Sequence, residues 1–280
     1  MPKILEIRPF NPDSNFSKER YITECIEETR VHLLKDLENV NSIQNRTFQL
    51  VCMFSMIDSL SQEYSNYPTF GSQRTFCDFV LRFQNRYDFL KLVEPVTLFY
   101  EYEPRINKVV YNQKLHQLYP DEFPEELEVD IEDIPHLDDT SVDKILKCGK
   151  ANEILDLIEK QDGKEKSQKM ANDHLFINLL YRMRCKAVHE LTHLGEEHQW
   201  DIKNGKSLPF YRSVTRGYVK DNQLIYDSIY ELVIPNKFVY DLAYNCINNY
   251  LDFCLSELRM PFKNNQWPYR EVFLTWNDRK

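Results

Sequence analysis

The sequence predicts a mainly α-helical protein: a helical bundle with one β-hairpin inserted before its last helix. Three observations carry this prediction. Apolar residues recur at helical spacing through most of the 280 residues. Two segments rich in Tyr, Val, Ile and Leu, residues 210–219 and 224–234, interrupt that rhythm around the polar turn 220–223 and are closed by Pro235. Only 6 glycines are present, which argues against a glycine-cornered barrel or a glycine-rich phosphate loop, and no GxGxxG or Walker sequence occurs.

Residues 16–38 place Tyr21, Ile22, Cys25, Ile26, Val31, Leu33, Leu34 and Leu37 at roughly helical spacing, with Ser17 as the cap. A second helix is predicted over 45–64, with Phe48, Val51, Cys52, Met53, Ile57 and Leu60. A third is predicted over 73–92, with Phe76, Phe79, Val80, Phe83, Tyr87 and Leu90. Pro95 and Pro104 bracket an aromatic stretch that reads as irregular. Residues 120–139 hold Pro120, Pro124 and Pro135 amid acidic side chains and read as a mobile loop or insert. Helical spacing resumes over 141–160. A polar lead-in, 162–173, precedes a helix over 174–194 whose apolar stripe is Phe176, Leu180, Met183, Ala187, Leu191 and Leu194. The last helix is predicted over 237–259. Without an internal repeat or a Gly/Ser linker, 1–280 reads as a single elaborated domain.

Composition bounds the setting. Apolar residues make up 42% of the chain, with 17 Tyr and 17 Phe, enough for a substantial core. The 7 cysteines are scattered and never form CxxC, which is the usage of reduced thiols in a cytoplasmic protein. The amino-terminal residues show no signal-like apolar run, and no segment is apolar enough to span a bilayer, so no membrane partner is expected. The net charge of −9 disfavours nucleic acid at first sight. Residues 121–143 alone hold 11 acidic side chains and no Lys or Arg, and without them the chain stands at +2. The remaining charge is either a solvated face beside an acidic loop or a weakly basic, RNA-facing surface carrying Arg182, Arg184, Lys186, Arg212, Arg216 and Lys220.

Chemistry concentrates in residues 181–193, Tyr-Arg-Met-Arg-Cys-Lys-Ala-Val-His-Glu-Leu-Thr-His. His189-Glu190-x2-His193 is a complete HExxH. On a regular helix its two histidines share a face and can bind zinc, with Glu190 polarising the metal-bound water of a metallopeptidase. A third ligand is then needed. Gly195 and His198 each fall one residue early for the extended pattern, and Asp227 or Glu231 could serve instead. The other reading takes Arg184-x4-His189 as the pair. By composition the Arg–His spacing arises by chance and HExxH rarely does, so the surrounding helices decide between them. They are bundle helices, not the mixed sheet that precedes a zinc-peptidase helix.

With its aromatic-Arg lead-in and a Glu directly after the His, Leu179-Leu-Tyr-Arg-Met-Arg-Cys-Lys-Ala-Val-His-Glu190 resembles the motif of the HEPN family: an Arg, four to six residues, then a His on a late bundle helix. The resemblance widens to about 40–260 when the layout of bundle, motif helix, hairpin and closing helix is counted. It implies a metal-independent endoribonuclease needing no cofactor. His189 would move the proton of the ribose 2′-OH during its attack on the adjacent phosphate, and Arg184 would neutralise the charge that develops there. Arg182 also falls within the permitted spacing, Cys185 stands where the family often has Asn, Asp or His, and Asp58 is the candidate polar residue on an earlier helix facing the site.

Five residues on a regular helix turn about 140° past a full rotation, so Arg184 and His189 converge only if the helix ends or bends, or if two chains contribute. The resemblance implies the second, a homodimer with a composite site, and a role in antiviral defence or as the toxin of a toxin–antitoxin pair held by a regulatory partner. A third reading is a non-catalytic helical module that binds RNA or a protein. On the ribonuclease reading, the acidic segment shields a basic site. Deleting residues 121–143 is expected to speed RNA cleavage, and an unchanged rate would sink the shielding idea.

Overall fold

Apolar spacing, caps and prolines set the element boundaries. The computed structural model describes residues 18–65, 73–102, 116–118, 120, 151–190, 207–220 and 223–262. The acidic segment 121–143, together with His193, Gly195 and His198, lies outside the described residues. In chain order the elements are α1 (Lys18–Asn41), α2 (Arg46–Ser65), α3 (Gln73–Phe83), a 3-10 turn (Asp88–Lys91), α4 (Pro95–Tyr102), α5 (Ala151–Asp162), α6 (Lys164–Asp173), α7 (Phe176–Cys185), a π turn (Lys186–Glu190), β1 (Phe210–Lys220), β2 (Gln223–Val233) and α8 (Asn236–Ser256). The described chain is therefore mainly helical, with one antiparallel hairpin before the last described helix. No helix among the described residues is long and apolar enough to cross a membrane.

α8 is the centre of the bundle. Phe238, Leu242, Cys246, Ile247, Tyr250, Leu251 and Cys254 are fully buried along it, and it packs on α1, α2 and α3. Where α3 ends against α8, Phe83 meets Tyr250 edge-on at 5.4 Å, and Tyr64 meets Phe83 edge-on at 5.0 Å. Such pairs add about 0.5–1.5 kcal/mol each beyond their buried area. Arg30 of α1 reaches Asn248 Oδ1 at 3.0 Å and Asp252 at 2.6 Å on α8.

Three predicted elements outside the motif helix differ from the structure. The helix predicted over 73–92 stops at Phe83, because Asn249 of α8 donates to the Phe83 carbonyl at 2.6 Å and Gln84 Oε1 accepts from the backbone N–H of Tyr87. The stretch after Pro95, read as irregular, is helix α4. Pro95 takes the first helical position, where its missing N–H costs nothing, and the Glu94 carboxylate caps the N–H groups of Val96 at 2.8 Å and Thr97 at 2.7 Å. The polar lead-in 162–173 is helix α6. Gly163 separates it from α5 at φ +92°, a left-handed angle that favours glycine. α6 is built from good helix formers and buries only Ser167 and Met170.

The hairpin pairs Phe210 with Val233 through Lys220 with Gln223. Its base enters the core through Phe210, Tyr211, Val233 and Ile234. The register sets Arg212 opposite Glu231 and Arg216 opposite Asp227. Two of the expected basic residues thus stand in backbone register with the two acidic residues proposed as zinc ligands. A short antiparallel bridge, Val93 with Leu175, joins the start of α4 to the start of α7, with Glu94 N bonding His174 O at 2.8 Å and Phe176 N bonding Leu92 O at 2.9 Å.

Glu94 ties these parts together. It is fully buried, and besides capping α4 it accepts hydrogen bonds from the Thr97 and Tyr211 hydroxyls. Glu94→Ala removes the cap and the carboxylate that accepts from the buried Tyr211 hydroxyl. It is expected to cost about 3 kcal/mol in urea unfolding, and a loss well under 1 kcal/mol would show that water replaces the carboxylate.

Candidate active site

Arg184 sits at the carboxyl end of α7, where the helix widens. Lys186 N–H still bonds back to the carbonyls of Arg182 and Met183, and the next residues follow i→i+5 geometry through Glu190. Ala187, with no exposed surface, and the partly buried Val188 face inward, and the π turn packs on α2. The wider turn resolves the angular mismatch between Arg184 and His189. In an i→i+5 helix, residues five apart stack nearly above one another, as residues four apart do in an α-helix.

The two side chains accordingly meet within one chain, Arg184 Nη1 lying 3.1 Å from His189 Nε2. Their environments differ. The Arg184 side chain is 7% exposed, whereas His189 lies at the surface. Asp58 on α2 holds the other edge of the guanidinium: Nε donates to Oδ2 at 2.6 Å, and Nη2 donates to the same oxygen. The Tyr181 ring centroid is 5.7 Å from the guanidinium carbon, and the Cys185 sulfur is a weak acceptor 3.9 Å from Nη1. Asp58, Arg184, Cys185 and His189 therefore converge as a single cluster.

Electrostatics follow from burial. Burial pushes the Asp58 carboxyl up from its ordinary value, while Arg184 and, more weakly, His189 pull it back toward the charged form. Burial opposes the charge on Arg184 as well, and the bonds and field of Asp58 more than offset it, leaving Arg184 above its ordinary value. Tyr181 is pushed up to about 12 by burial and its hydrogen bond with Cys185, so the phenol keeps its proton. Burial likewise pushes the Cys77 thiol up to about 12, which removes it from thiolate chemistry at neutral pH.

Arg182 is directed elsewhere. Its guanidinium lies 3.4 Å from Glu101 and 3.2 Å from the Asp173 carbonyl, and Glu101 also lies 3.0 Å from the buried His174. This second cluster fastens α4 to the α6–α7 junction, and the structure does not bring Arg182 to His189. The backbone of Glu190 closes the π turn, and His193 lies outside the described residues. For the HExxH reading, the relevant observation is that His189 Nε2 faces a guanidinium. Among the described residues no group of three or more His, Cys, Asp or Glu side chains could hold a metal ion.

Sequence reasoning named Tyr181 only as the aromatic lead-in of the motif and did not single out Glu101 or His174 as its neighbours. The signal for Tyr181 was its i,i+3 spacing from Arg184. Glu101 required helix α4, which the flanking prolines concealed. No family model, curated protein or solved structure matches the chain.

Breaking one half of a buried ion pair strands the other half, whereas replacing both with apolar groups does not. Asp58→Leu is expected to cost about 3–5 kcal/mol, and adding Arg184→Met is expected to restore most of that loss. Urea unfolding of the single and double variants measures this, and a double variant no more stable than the single would show that the charges do not act as a pair.

Proposed function

We propose that the chain is a metal-independent endoribonuclease of HEPN-like architecture in which Arg184 and His189 act on a phosphodiester. The observation that carries this reading is the 3.1 Å contact between Arg184 Nη1 and His189 Nε2, which joins a buried, anchored cation to a surface imidazole. Ribose chemistry needs this combination. A 2′-oxygen attacks the phosphorus beside it, expels the 5′-oxygen and leaves a 2′,3′-cyclic phosphate. His189 takes the 2′-hydroxyl proton. The Arg184 guanidinium, with Nε and Nη2 on Asp58, turns Nη1 toward the charge growing on the phosphate oxygens.

Asp58 supports the assignment by fixing the direction of the guanidinium. A preorganised cation acts without reorganising at the moment of reaction. Because the pair meets within one chain, the homodimer that the family resemblance implies would set two sites side by side rather than complete each one. On this reading a regulatory partner or antitoxin would work by covering the exposed face of His189.

In RNA-cleavage assays containing EDTA, His189→Ala is expected to lower the rate about 10²–10⁴-fold and Arg184→Ala about 10²–10³-fold, with His193→Ala nearly neutral. Cleavage that survives His189→Ala would overturn the assignment. Peptide hydrolysis requiring Glu190 and His193 would transfer it to the metallopeptidase reading, and RNA binding without cleavage to the non-catalytic module.

A further inference from the structure

The Arg184–His189 contact fixes a proton as well as a distance. A guanidinium carries N–H groups and no acceptor, so Arg184 Nη1 donates and His189 Nε2 receives with its lone pair. The proton of the neutral ring is then on Nδ1. Which nitrogen of a histidine carries the proton is set by the bond the other one makes. Here that bond is set in turn by Asp58, which takes both Nε and Nη2 and leaves Nη1 as the edge turned to the imidazole. The guanidinium has little freedom to turn: its side chain is 7% exposed and it stands over the Tyr181 ring.

We propose that Asp58 and Arg184 form a tautomer lock on His189, released when a phosphodiester oxygen takes over the Arg184 Nη1 hydrogen bond. A neutral imidazole has a single in-plane lone pair. While Arg184 occupies it, His189 cannot accept a proton from a hydroxyl, and the free chain is idle. An anionic phosphodiester oxygen is a stronger acceptor for a guanidinium N–H than a neutral nitrogen is. When it takes Nη1, Nε2 is uncovered beside the ribose that carries the 2′-hydroxyl. The 2′-hydroxyl proton passes to Nε2, the oxygen electron pair forms the bond to phosphorus, and the bond to the 5′-oxygen breaks. The imidazolium returns the proton to the departing oxygen through solvent. Asp58 is a positioning residue throughout: it touches neither substrate nor reacting atoms and keeps the arginine from leaving with the phosphate.

The lock follows from the geometry of the free chain, and its release rests on the ribonuclease reading. The two are tested separately by long-range proton–nitrogen correlation spectra of the full chain carrying isotope-labelled histidine, with His189 assigned by its loss in His189→Ala. In the free wild type at a pH where the ring is neutral, Nε2 is expected at the lone-pair position and Nδ1 at the protonated one. Asp58→Asn and Arg184→Gln are expected to move both nitrogens toward the reverse tautomer, and Arg184→Lys, whose ammonium can only donate, to restore part of the original pattern.

A wild-type spectrum with the proton on Nε2 overturns the lock whether or not any variant folds. So does an Arg184→Gln spectrum identical to wild type. A 2′-O-methyl oligoribonucleotide, which offers the phosphodiester but no reactive hydroxyl, is then added. Release predicts that Nε2 shifts to an unbonded lone pair while Nδ1 stays protonated. Saturating the protein with no shift at Nε2 overturns release and leaves the lock and the cleavage assignment standing.

Discussion

Taking a charged group out of water costs several kcal/mol unless a partner meets it with good geometry. Arg184 is buried where α7 gives way to the π turn, so its position is tenable only because Asp58 accepts two of its N–H groups. That requirement joins residues 126 positions apart in the chain. It fixes how α2 faces α7 and leaves one edge of the guanidinium directed at His189. The neighbouring features follow from it: Ala187 and Val188 turn inward so that α2 can approach, and the Tyr181 ring fills the space beside the cation. A histidine at the surface is thereby held by a charge in the interior.

The second constraint is Glu94, a buried carboxylate with no cation among its hydrogen-bond partners in the described residues. It is stabilised by amide and hydroxyl donors from α4 and by Tyr211 of the hairpin. With the Val93–Leu175 bridge, it sets where α7 begins. Its role is geometric: the amino end of α7 is fastened by Glu94 and its neighbours, the carboxyl end by Asp58, and the motif residues lie between two anchored points.

The pattern of residues revealed the helices with an apolar face and the hairpin. Asp58 was named only through the family resemblance, as a polar residue on an earlier helix, and its ion pair with Arg184 emerges from the folded chain. Other features lay beyond residue spacing. Helix α4 was hidden because Pro95 and Pro104 look like breakers, whereas a proline at the first helical position is a start signal once Glu94 is seen as the cap. Helix α6 has almost no buried face, so it shows no periodicity and is held by intrinsic propensity and by Ser167 bonding the Leu155 carbonyl at 3.0 Å. The break after Phe83 depends on Asn249, far along the chain. The meeting of Arg184 and His189 depends on a π turn, and no residue in 186–190 announces one.

That turn has a consequence for how spacing is compared between chains. Four intervening residues on a π turn and three on an α-helix bring an arginine and a histidine to nearly the same relative position. A wider turn is, in effect, one inserted residue absorbed without moving the flanking helix faces. Chains that differ by one residue in this interval can therefore share a site geometry, and chains with the same interval can differ in it. What is preserved between them is the local winding of the backbone together with the buried anion that aims the arginine, and the length of the interval alone measures neither.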